Sequence, residues 1–124
     1  MSDKQVLFVY GSLMRGLANH DVLSEESEFM GHALTTAEYS LLDLGPYPGA
    51  VSGGADPLEG EIYAVTRSEL ARLDAFEGVP SFYHRVRTQL EEPEGSAWIY
   101  LLTTLPAGSV FVPSGSWRQH LEER

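Results

Sequence analysis

The sequence contains no cysteine. That one absence removes disulfides, thiolate metal sites and a cysteine nucleophile together. Cations are scarce too: eight Lys and Arg stand against 18 Asp and Glu, for a net charge of −10. A nucleic-acid backbone or an anionic membrane surface asks for a basic patch, and this chain has little from which to build one. A small anionic ligand is not excluded, because local backbone dipoles can hold one. No apolar run approaches the roughly 18 residues of a membrane span. The first such run, residues 6–10, has no basic segment before it and no cleavage site after it, so it is not a signal peptide. A cytoplasmic location is the resulting expectation. The four histidines, His20, His32, His84 and His120, lack the spacing of metal ligands, so neither a metal nor any other cofactor is expected.

Two familiar loops are missing as well. Ser12 lacks the glycines two residues to either side that a nucleophile elbow requires, and the Gly-rich spacing and Lys of a phosphate loop are absent. A triad of Ser12, His84 and Asp74 would need three distant segments to converge, and nothing in the sequence places them together.

What is present is enough for one domain, residues 1–124, with a real core. Residues 6–10 read as a buried strand that ends abruptly at Gly11-Ser12. Successive N–H groups after such a turn can form an anion-binding concavity, although most Gly-Ser pairs only end a strand. Residues 19–27 are a short helix or turn. Residues 29–44 read as one bent strand or a hairpin. They run into a Pro- and Gly-rich stretch, 45–51, predicted to be a stiff irregular loop that presents Tyr47. Residues 58–65 alternate as a half-buried strand, with Glu59, Glu61 and Tyr63 on the polar face. Residues 82–90 and 97–103 form a hairpin about an acidic turn. Tyr83, Arg85 and Arg87 share one face of the first strand, and Trp98 and Tyr100 one side of the second. The tail from Pro106 is mostly irregular, anchored by Trp117 and ending in a helical turn. The sum is an α+β domain: a mixed, mostly antiparallel sheet curling into a small β-barrel, with one main helix and short flanking ones.

That helix is the best-marked element. Thr66 reads as its N-cap and Glu69 completes a capping box. Leu70, Leu73, Asp74 and Glu77 then fall at i, i+3, i+4 and i+7 on one face. Gly78 suits the left-handed stop, and Pro80 forbids continuation. Glu77 is thus placed at the negative end of the helix dipole, in line with two core leucines. Both settings disfavour its charge, which makes it a candidate acid/base group. The plainer alternative is a helix-end Glu that bends out to water. A glycosidase pair with Asp74 fits poorly: the two carboxylates are one turn apart and cannot flank a sugar ring.

Three segments carry a resemblance. They are Val9-Tyr10-Gly11-Ser12-Leu13, Tyr47-Pro48-Gly49-Ala50-Val51, and Leu73-Asp74-x-x-Glu77-Gly78 followed by Tyr83-x-Arg85. Together, in this order and spacing, they resemble the γ-glutamylcyclotransferase-like family. The branch is the one with γ-glutamylamine cyclotransferase and the avirulence-induced-like proteins. The resemblance spans about four-fifths of the chain, up to the strand with Trp98 and Tyr100. It implies a small β-barrel with a cavity between barrel and helices. It implies that Tyr10, Gly11, Ser12 and Leu13 hold a γ-glutamyl group, largely through backbone N–H groups, and that Glu77 is the acid/base. Tyr47, Pro48, Tyr83 and Tyr100 are the further expected substrate-binding residues. Arg15 and Arg85 could contribute, or could serve surface and ion-pair roles instead. The implied partner is a small γ-glutamyl amine or peptide, met by a monomer or homodimer. The implied product is 5-oxoproline. The alternative is a non-catalytic small-molecule-binding or interaction module that keeps the fold.

Overall fold

The computed structural model describes residues 4–124. In chain order its elements are β1 (Gln5–Val9), a 3-10 turn (His20–Val22), β2 (Glu28–Thr35), β3 (Tyr39–Asp43), β4 (Pro48–Ser52), β5 (Glu59–Val65), α1 (Arg67–Phe76), β6 (Tyr83–Glu92), β7 (Gly95–Leu102), β8 (Val110–Val112) and α2 (Trp117–Glu123). Strands β1, β5, β2, β6 and β7 close a barrel in that order. Its neighbours pair antiparallel except at the closing seam, where β1 lies parallel to β7 with Leu7 opposite Trp98. Closure leaves the barrel no free edge. Leu7, Phe8, Ile62, Ile99 and Leu101 are buried in the core. A second sheet, ordered β4-β3-β8, lies beside the barrel, with β4 against β7. No helix among the described residues is long and apolar enough to cross a membrane.

Four local expectations are corrected. Residues 29–44 form neither one strand nor a hairpin. β2 pairs with β5 and β6 in the barrel, whereas β3 pairs with β4 and β8 in the small sheet. The apolar pattern runs through both strands, so it does not reveal the change of partner at residues 36–38. The Pro/Gly stretch at 45–51 is mostly strand: β4 pairs with β3 from Asp43–Pro48 to Tyr39–Ser52 across a four-residue turn closed by Leu44 N–H to Tyr47 O, 3.0 Å. Pro48 is tolerated as the first residue of a strand. Gly49 is required by closeness, since a Cβ there would lie 2.5 Å from Leu102 side-chain atoms. The tail is more ordered than expected, supplying β8 and a helix capped by Ser116 Oγ, which accepts from Gln119 N–H. Trp117 is buried, as its anchoring role requires. Lastly, β5 is buried on both faces: Glu61 and Tyr63 are covered, and Glu61 accepts from Arg15 N–H, Tyr63 OH and Arg118.

Helix α1 starts as its sequence predicts and then departs from it. Thr66 Oγ1 accepts from Glu69 N–H at 3.1 Å. Among the described residues the reciprocal bond, from Thr66 N–H to the Glu69 side chain, is not made. The Glu69 carboxylate is buried and turned away, accepting from Ser24 N–H at 2.6 Å, Ser27 Oγ at 3.0 Å and Arg72 Nε at 2.8 Å. It thereby ties the helix to the segment before β2. Burial alone would raise its pKa, but these donors hold it below the ordinary value.

Candidate active site

The helix stop sets the site. Glu77 N–H donates to Leu73 O at 2.8 Å, and Gly78 N–H to Ala75 O at 3.2 Å. Gly78 then takes a φ of +70°, a conformation that other residues resist. The chain turns, Phe82 N–H closes on Gly78 O at 2.9 Å, and β6 begins. Glu77 is left facing a cavity of about 220 Å³ between the end of α1, the β1 turn, the start of β4 and the start of β6.

The residue expected as acid/base and the eight expected to bind substrate all line that cavity: Glu77, then Tyr10, Gly11, Ser12 and Leu13, then Tyr47, Pro48, Tyr83 and Tyr100. Five more complete it. Phe8 and Val9 lead into the turn, Asn19 lies beneath it, and Phe76 and Phe82 stand at either side of the helix stop. Arg15 and Arg85 are not among the lining residues. Arg15 is exposed with its guanidinium over the Phe29 ring, and Arg85 is ion-paired to Asp74. No histidine lines the cavity.

The turn after β1 is held open by its neighbours. Asn19 Nδ2 donates to Ser12 Oγ at 2.8 Å, and Asn19 N–H to Ser12 O at 2.9 Å. His20 Nδ1 meets Leu13 O at 2.9 Å. These contacts occupy oxygens and leave the donors alone. Among the described residues, the N–H groups of Gly11, Ser12 and Leu13 reach no acceptor. Unpaired donors in succession suit an anion. Gly11 must be glycine because Pro48 packs on it: a Cβ would lie 2.8 Å from Pro48 Cγ. This contact brings the first and second motifs together.

Three tyrosines make the walls rigid. Tyr10 OH donates to Tyr100 O at 2.6 Å and accepts from Ala50 N–H at 3.0 Å. Tyr83 OH donates to Pro48 O at 2.7 Å. Tyr100 OH donates to Asp74 Oδ1 at 2.7 Å. All three rings are buried, and burial first of all raises their pKa, so the hydroxyls stay protonated. Each hydroxyl has a single proton to give, and each has given it to protein. These residues offer the cavity ring surface and, for Tyr10, backbone. Tyr47 differs: it is half-buried, and its hydroxyl meets no partner among the described residues.

Glu77 also stands alone. Among the described residues its carboxylate accepts no hydrogen bond and meets no cation, and burial raises its pKa to about 7. Such a group can take and return a proton near neutrality. Among the described residues no cluster of His, Asp and Glu could hold a metal ion.

The model of the "Gamma-glutamyl cyclotransferase, AIG2-like" family matches residues 7–119. The chain belongs to this family. A Vibrio cholerae relative, itself assigned only provisionally as a gamma-glutamylcyclotransferase, is 40% identical over 118 residues, covering 95% of this chain and 99% of its own. The family protein YtfP of Escherichia coli is 34% identical over 111 residues, covering 90% and 94%. In three dimensions, the crystal structure of an AIG2-like protein from Mus musculus is similar at a TM-score of 0.78 and 30% identity, covering 86% of this chain and 82% of that one. This chain and that AIG2-like protein therefore share their overall fold.

Proposed function

We propose that the protein is a γ-glutamyl cyclotransferase that releases 5-oxoproline from γ-glutamyl amines or peptides. One observation carries the reading: Glu77, whose carboxylate has no partner among the described residues, lines the same cavity as Gly11, Ser12 and Leu13, whose N–H groups reach no acceptor there. Family membership supports it.

The chemistry asks little else of a protein. The substrate's α-ammonium gives a proton to the Glu77 carboxylate. The freed amine attacks the substrate's own γ-carbonyl carbon, forming the new C–N bond of a five-membered ring. The old amide C–N bond breaks as Glu77 returns the proton to the departing nitrogen, and the re-ionised Glu77 takes the second proton that the ring nitrogen must shed and passes it to the released amine, which leaves as an ammonium. The products are 5-oxoproline and that ammonium. No water or external nucleophile is consumed, so the lack of cysteine and of a serine elbow is no handicap. Curling the glutamyl chain supplies much of the acceleration, since well-oriented intramolecular attack is worth about 7–11 kcal/mol. The N–H groups of Gly11, Ser12 and Leu13 hold either the α-carboxylate or the oxyanion that develops on the γ-carbonyl. A pKa of about 7 serves these proton transfers.

The test is 5-oxoproline release from a panel of γ-glutamyl amides, dipeptides and glutathione, by wild type and by Glu77→Gln. Release by wild type only is the expected result. Silence across the panel would favour a binding module on the same fold. A folded Glu77→Gln that turns over at the wild-type rate would remove the mechanism.

A further inference from the structure

The mouth of the cavity is aromatic. Phe76 and Phe82 bracket the helix stop, 47% and 41% exposed. Tyr47 stands edge-on to Phe82 with ring centroids 6.2 Å apart, and Phe82 edge-on to Tyr83 at 4.8 Å. Apolar surface of this kind, grouped at one opening, is surface that a ligand can cover. Charge adds a second constraint. Glu77 is the sole Asp, Glu, Lys, Arg or His among the lining residues. Arg85, on the strand beside the site, is held by Asp74 through two hydrogen bonds. A leaving group with its own carboxylate would enter a site with one acid and no cation, in a chain of net charge −10.

We infer that the amine released is uncharged apart from its reacting nitrogen and apolar, aromatic or alkyl, and packs among Phe76, Phe82 and Tyr47. This rests on the cyclotransferase reading and narrows its substrate class. The glutamyl end takes the polar floor, made by the β1 turn and Glu77. The departing end takes the aromatic mouth. A second ammonium on the leaving group would find no second carboxylate there.

The decisive pair of substrates is γ-glutamylphenethylamide and γ-glutamylphenylalanine, which differ only by a carboxylate on the leaving group. The amide should show a kcat/KM higher by about tenfold or more, as expected when one substrate strands a charge without a partner. Phe82→Ala and Phe76→Ala should each lower kcat/KM more for the phenethylamide than for γ-glutamylmethylamide, and Phe82→Leu should lose less than Phe82→Ala. Binding is read separately by calorimetry on Glu77→Gln, which should hold the phenethylamide more tightly than γ-glutamylphenylalanine. Turnover with no preference, with preference for the carboxylate, or with preference for the amide of a diamine would overturn the inference and leave the cyclotransferase reading standing. Absence of both turnover and binding across these compounds would overturn both.

Discussion

Asp74 and Glu77 lie one turn apart on the same helix, yet their surroundings drive them in opposite directions. Asp74 is tied up. Arg85 Nε donates to its Oδ1 at 2.8 Å, an Arg85 terminal nitrogen to its Oδ2 at 3.1 Å, and Tyr100 OH to Oδ1 at 2.7 Å. Burial would raise its pKa, but these donors, Arg85 foremost, hold it below the ordinary carboxylate value. Among the described residues Glu77 has no such donor, and burial lifts it to about 7. The difference teaches that the helix position does not decide which carboxylate is left able to exchange a proton. The partners on β6 and β7 do. Asp74 is fixed as an anion and braces the walls; Glu77 is left able to exchange a proton.

The largest expected effect separates the two by activity. If Glu77 is the base, Glu77→Gln should lower kcat/KM by about 10²–10⁴-fold, the usual worth of a positioned acid/base group. Asp74→Asn should cost far less, because that carboxylate moves no proton. Steady-state 5-oxoproline release measures both. Equal losses would break the comparison.

The next effect reverses the order. Asp74→Ala should destabilise the fold by about 1–3 kcal/mol, since it strands the Arg85 guanidinium and the buried Tyr100 hydroxyl. Glu77→Gln should not destabilise, and its sign can be worked out. The native pKa of Glu77, about 7, lies above its ordinary value of 4.5. A raised native pKa means that the group's contribution is intact below pH 4.5 and is lost as pH climbs through 7. The ionised Glu77 is therefore a burden on the folded state above neutrality. Glu77→Gln should be the more stable protein at pH 8 by about 1–3 kcal/mol, a gain that fades toward pH 4. Urea melts at the two pH values decide it. A gain that persists unchanged at pH 4 would mean that the charge is not its source.

How much of this contrast could be read from the chain depends on the range of each interaction. The helix start and stop were legible because Thr66, Glu69, Gly78 and Pro80 act within a few residues. The oddity of Glu77 was legible for the same reason. The fate of Glu69 was not: two of its three donor residues, Ser24 and Ser27, lie more than 40 residues away. The rest of the site divides along the same line. Gly11 and Pro48 stand out as motif residues, but only the fold reveals that one packs on the other. Asn19, Phe76 and Phe82 belong to no motif; a polar residue in a turn and two aromatics near a helix end give no sign of a shared cavity. The change of sheet between β2 and β3 was hidden because an apolar strand pattern reports burial, not the partner that provides it.

The smallest effect tests the brace itself. Tyr100 lines the cavity and is among the residues expected from the sequence to bind substrate. Its one O–H proton, however, is already given to Asp74. If that bond persists with substrate bound, Tyr100→Phe should remove support for Asp74 and leave catalysis nearly alone. The stability loss should be about 1 kcal/mol at pH 7, the net worth of one hydrogen bond. It should also depend on acid. Asp74 has a lowered native pKa, so its stabilising share is present above its ordinary value of 3.8 and is lost as pH falls through the lower native one. Tyr100 is one cause of that lowering, so the gap between wild type and Tyr100→Phe should narrow below pH 3.8. Denaturant melts at pH 7 and pH 3 measure the gap, and kcat/KM at pH 7 measures the rest. A stability gap that stays constant with pH, together with a tenfold or greater loss in kcat/KM, would mean that the hydroxyl leaves Asp74 for the substrate. Asp74 would then be no brace, and the division of labour along this helix face would fail.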